Sequence, residues 1–116
     1  MTLIKKSTIR NVTGITANET QRIYDYLQGA VYCWCKNRLN EWFAARDLVG
    51  GENFDWNGTP MIVLFNKHKD KGKSDDDAIV EAGKDAGWIL KRVIEDDNRN
   101  FDDKKESLVR KYRWKK

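Results

Sequence analysis

A single proline, a single histidine and two cysteines in 116 residues leave little material for several kinds of chemistry. One proline provides no Pro-rich linker at which to divide the chain. One histidine removes the paired clusters that structural zinc sites use, and Cys33-Trp34-Cys35 supplies at most two metal ligands. Thiols separated by one residue are poorly placed for an intrachain disulfide, so we read both as reduced and at least one as packed in a core helix. No apolar run approaches a membrane span, so no membrane partner is expected. The N-terminal stretch MTLIKKSTIRNV is basic but has no apolar region of a secretory signal. The expected location is the cytoplasm, and the Asn11-Val12-Thr13 sequon is then a chance match.

A Gly-rich phosphate loop, a Ser-His-Asp arrangement and paired-ligand spacing are also missing. Cys35 with His68, or Lys73 with Asp75–Asp77, would be the raw material for a nucleophile or a nuclease site. Consecutive acids on a helix point in different directions, so the triplet reads better as charge complementary to a helix dipole. We expect no catalytic residue, no metal site and no cofactor.

What the chain does have is aromatic side chains and positive charge. Apolar residues make up 40% and aromatics 11%, with five tryptophans and four tyrosines. That is enough for one domain with a modest core, which we place at residues 15–116 behind a basic arm or strand at 1–14. The net charge is +4, with the bases concentrated at the two ends and around Lys67–Lys73.

Local signals predict helices. Thr16-Ala-Asn-Glu19 fits a capping box, and Ile23, Leu27, Ala30, Val31 and Trp34 follow at helical spacing. That helix should run to about Asn37 or Asn40. Tyr24, Tyr26 and Tyr32 widen its apolar surface, which predicts cover on more than one side. Trp42-Phe43 suits a short strand and Ala44–Val49 a short helix stopped by Gly50-Gly51. Phe54 and Trp56 should anchor the loop that follows. Thr59-Pro60 should cap a second main helix, with Met61, Ile62, Leu64 and Phe65 inward. It should fade near His68, whose ring would meet the helix-end carbonyls, before a loop over Lys69–Ser74. Ser74 caps the third main helix, with a stripe of Ile79, Ala82/Gly83, Ala86, Ile89/Leu90 and Val93. Gly83 and Gly87 on it would suit close approach by another backbone or a partner. The tail reads as a strand pair with Asp102–Glu106 at its tip, although residues 107–116 could also be helical. The fold class is mainly α: three to four helices with a C-terminal β-hairpin, the alternative being an all-α bundle.

Lys84, Trp88, Lys91 and Arg92 are three or four residues apart and share a face of the third main helix. Cations neutralise phosphate, and a tryptophan can stack or wedge. The competing reading puts Trp88 at the core margin with lysine and arginine stems packed over it. Lys104, Lys105, Arg110, Lys111 and Arg113 supply a second basic group on the C-terminal ribbon. The order of elements (helix, short strand, short helix, two helices, basic ribbon) over residues 16–114 resembles a winged helix-turn-helix domain. The resemblance implies a recognition helix carrying the Lys84–Arg92 face and a wing carrying the ribbon cations. The expected function is binding of duplex DNA, in a regulatory role. The alternative is a homodimer or protein-interaction module with an aromatic patch and no catalytic activity.

Overall fold

The computed structural model describes residues 11–38, 40–49, 55–106 and 109–115. Four helices, α1 (Ala17–Asn37), α2 (Ala45–Leu48), α3 (Ile62–Asp70) and α4 (Asp75–Asp96), precede an antiparallel hairpin of β1 (Phe101–Glu106) and β2 (Val109–Trp114). The protein is mainly α with a small C-terminal β-hairpin. Phe43 forms an isolated bridge to Tyr112, donating and accepting one backbone hydrogen bond at 2.8 Å each. The short extended segment between α1 and α2 is thereby attached to β2.

α1 starts as expected. The Thr16 hydroxyl accepts from the Glu19 amide at 3.0 Å, and the Thr16 amide donates to the Glu19 carboxylate at 2.8 Å. Its buried side is one stripe, Ile23, Leu27, Val31 and Cys35. Tyr26 and Tyr32 are exposed, so the predicted cover is corrected for these two; Tyr24 is half-buried against the core and its hydroxyl donates to Asp96 at 2.8 Å. Cys35 is buried and Cys33 exposed, both free thiols. α2 is held by the Asp47 carboxylate, which accepts from the Ala44 amide.

α3 begins two residues later than Thr59-Pro60 implies. The Thr59 hydroxyl accepts from the Met61 amide and donates to the Trp56 carbonyl, so it shapes the turn before the helix. Trp56 itself is buried, its indole N–H donating to the Val49 carbonyl; Gly50, Gly51 and Phe54 lie outside the described residues. α3 also runs past His68 to Asp70. The predicted six-residue loop therefore shrinks to the turn Lys71–Ser74, where Gly72 takes φ +88°, a region that favours glycine.

α4 packs on α1, α2 and α3. Ser74 caps it, accepting from the Asp77 amide at 3.2 Å, and the three aspartates occupy the first turn, where negative charge suits the helix dipole. Its buried stripe is Ala78, Ala82, Ala86, Ile89, Leu90, Val93 and Ile94. The expectation for Ile79 fails: it is 41% exposed, and Ala78 takes the inward position. Three alanines a turn apart let α4 approach its neighbours closely, and that seats the stripe one residue away from the bulkier side chain.

The core centres on Phe43, whose ring meets Trp34 at 5.7 Å, Tyr112 at 6.0 Å and Phe101 at 6.5 Å between centroids. The hairpin register pairs Phe101 with Trp114 and Glu106 with Val109. Asp102–Glu106 is therefore strand, not tip. Among the described residues no helix is long and apolar enough to cross a membrane.

Candidate nucleic-acid interface

The β-hairpin carries five bases against three acids between Phe101 and Trp114. Strand alternation sorts them onto two faces. On one face Arg113 sits opposite Asp102 and bonds its carboxylate at 2.9 Å. Lys104 and Lys111 are also directly opposed, an arrangement that like charges disfavour. Glu106 resolves it by taking Lys104 at 2.9 Å and Lys111 at 3.0 Å. Hydrogen bonds from these two ammonium groups pull the Glu106 carboxyl down to about 2. Trp42 lies under this face, with Lys104 Nζ 4.4 Å and Arg113 Cζ 4.5 Å from its ring centroid. On the other face Arg110 is paired with Asp103. Lys105 is exposed and makes no ion pair among the described residues.

The helix face does not form as the sequence suggests. Lys84 is exposed and Arg92 is exposed, with its guanidinium donating to the Asn11 side chain at 2.8 Å. Lys91, however, is only 6% exposed. Its ammonium lies 5.2 Å from the Trp88 ring centroid, and Trp88 is half-buried. Burial, and then the charge of Arg110, hold the Lys91 pKa below its ordinary value, against the opposing pull of Asp103 and Glu95. The reason is the hairpin: Asp103 and Arg110 lie close enough to act on Lys91, and its long stem is spent as packing. Trp88 is thus a half-buried residue with a lysine over it, not a bare ring among cations. Over its whole length α4 has seven acids against three bases.

The cations that stay open are elsewhere. Lys71 and Lys73, in the turn before α4, are exposed and without ion pairs among the described residues. Lys69 is committed to Asp75 at 2.8 Å. Lys67 reaches Asp85 at 2.8 Å and donates to the Thr13 carbonyl, fastening residues 13 and 14 across α3 and α4; Met1–Arg10 lie outside the described residues. His68 does not meet helix-end carbonyls. It is buried, and its Nε2 lies 2.8 Å from the same Asp85 carboxylate oxygen.

Arg99 has no local signal in the sequence. Its guanidinium grips Asp97 at 2.8 and 3.1 Å and lies 5.5–5.6 Å from the rings of Tyr32, Phe101 and Trp114. For Asp97, burial raises the carboxyl pKa, but the hydrogen bonds and charge of Arg99 outweigh it and the net shift is downward. An open cleft beside this cluster has a volume of about 770 Å³ and is lined by Asp25, Gly29, Tyr32, Lys36, Asp96 and Trp114, among others. Burial raises the Cys35 thiol above its ordinary value. Among the described residues no three His, Cys, Asp or Glu side chains are grouped to hold a metal ion.

Comparisons with protein-family models, curated proteins and solved structures give no match to this chain.

Proposed function

We propose that the protein binds duplex DNA as a winged-helix-like domain, with contacts from the hairpin and the α3–α4 turn. The observation that carries this reading is the element order together with the Phe43–Tyr112 bridge. That bridge ties the short segment after α1 to the hairpin, and a four-residue turn containing Gly72 joins α3 to α4, as in helix-turn-helix units. The net charge of +4 is compatible with an anionic partner.

The contact set differs from the one the sequence suggests. Asp75–Asp77 and Glu81 make the start of α4 repel phosphate, and Lys91 is spent as packing. Within the hairpin and the α3–α4 turn, Lys71, Lys73 and Lys105 are the exposed cations without an ion pair among the described residues. Arg110, Lys111 and Arg113 can join only by exchanging a carboxylate for a phosphate. Few cations then engage, so the affinity should be modest and its salt dependence shallow, with a slope of roughly −0.9 per phosphate neutralised.

The test is fluorescence anisotropy with a labelled random-sequence duplex across a salt series. Lys71→Ala/Lys73→Ala should weaken binding at every sequence and flatten the log–log slope by about two. Lys84→Ala should change neither. An unaltered slope in the turn variant, or no binding by the wild type at low salt, would refute the reading.

A further inference from the structure

We propose that the outer face of the first half of α4 is where a second copy of this chain docks, antiparallel, about a twofold axis near Val80. Ile79 and Val80 are 41% and 57% exposed, the two exposed large aliphatic side chains of a helix that buries every other one it has. Gly83 continues the same arc at the 3.6-residue period. A Cβ there would meet nothing within 4 Å, so the fold of one chain does not explain a glycine that costs about 1 kcal/mol in a helix interior.

The occupant is identified by charge. Asp77 and Lys84 are about two turns apart and lie on the same flank of the arc, on either side of Val80. In an antiparallel pair related by a twofold axis, one flank faces the same flank of the partner. Asp77 of each copy then meets Lys84 of the other, twice, with Ile79, Val80 and Gly83 between. Both side chains are free to do so. Asp77 is exposed and has no ion pair among the described residues, and Lys84 makes only a loose contact to Glu81 at 3.5 Å, with 62% of its side chain exposed. A self-complementary pattern of this kind fits a second copy better than an unrelated partner. It uses none of Lys71, Lys73 or Lys105, so it goes beyond the DNA reading and stands or falls separately from it.

The experiment is sedimentation equilibrium of the full chain, without DNA, over concentrations spanning Kd values of about 1 µM to 1 mM. The mass should rise from 13.6 kDa toward twice that value in the wild type, and stay at the monomer in Val80→Glu. Asp77→Lys and Lys84→Glu should each weaken association, by about tenfold, and the double variant Asp77→Lys/Lys84→Glu should regain most of the loss. Far-UV circular dichroism checks the helix content of each. If Val80→Glu perturbs the fold, the exposed charge pair still decides. A wild-type mass of 13.6 kDa throughout, or a double variant no tighter than either single one, would overturn the proposal.

Discussion

The two halves of α4 are built from the same alphabet and put to different uses. The second half buries Ile89, Leu90, Val93 and Ile94, and even the stem of Lys91, against the rest of the core. The first half buries only Ala78 and Ala82 and leaves Ile79 and Val80 in solvent. The difference is what lies over each. The C-terminal half shares the core cluster with Phe101 and Tyr112 of the hairpin, and Tyr24 of α1 bonds Asp96 at its end. The first half leaves its outer arc, Ile79 and Val80, in solvent. Burial in a helix is thus set by its neighbours as much as by its own hydropathy.

Substitution should cost most in the covered half. Ile94→Ala, at a fully buried site, is expected to lose about 2–5 kcal/mol in urea denaturation, whereas Ile79→Ala should stay within about 0.5 kcal/mol. Equal losses would mean that the first half is as well covered as the second. Next in size is the junction where α4 ends. Arg99→Ala removes the group that holds Asp97 and sits among three rings, and about 2 kcal/mol should go with it. The same pair predicts a pH dependence. Asp97 is held below its ordinary value, so its contribution is complete above the unfolded carboxylate range and fades as pH falls through the folded pKa. Asp97→Asn should be less stable at neutral pH, with a flatter profile below about pH 4. Smaller still, Gly87→Ala should raise stability by up to about 1 kcal/mol, since a Cβ there meets nothing within 4 Å. The last outcome reads exposure without changing stability: iodoacetamide should modify Cys33 in the native protein, and Cys35 only after unfolding, because Cys35 is 1% exposed and its thiol is held protonated by burial.

Much of the fold was legible because its signals are local. The Thr16–Glu19 box and the Ser74 cap each lie within four residues, and both helices start where these place them. The hairpin was legible from alternation, but its tip was misplaced, because charged residues suit exposed strands as well as turns. The position of Ile79 is ambiguous in sequence for a definite reason. Ala78-Ala82-Ala86 and Ile79-Gly83 are adjacent stripes of equal period, and periodicity cannot choose between them until α1 and α3 are in place. The candidate site was less legible. Whether Lys91 reaches solvent depends on Asp103 and Arg110, and whether the wing cations are free depends on Asp102, Asp103 and Glu106. Those pairings follow from strand register, which no single segment reveals. Trp42 under Lys104 and Arg113, and Arg99 beside Tyr32, join residues 62 or more positions apart, and Arg99 meets Trp114 across 15; none of these has a local signature.

Backbone amide shifts followed by NMR during titration with a short duplex locate the DNA face. Changes are expected at Lys71–Lys73 and along Lys104–Arg113, with Ile79–Lys84 undisturbed by the DNA. Shifts concentrated on Ile79–Lys84, or none at any amide at low salt, would contradict the DNA reading.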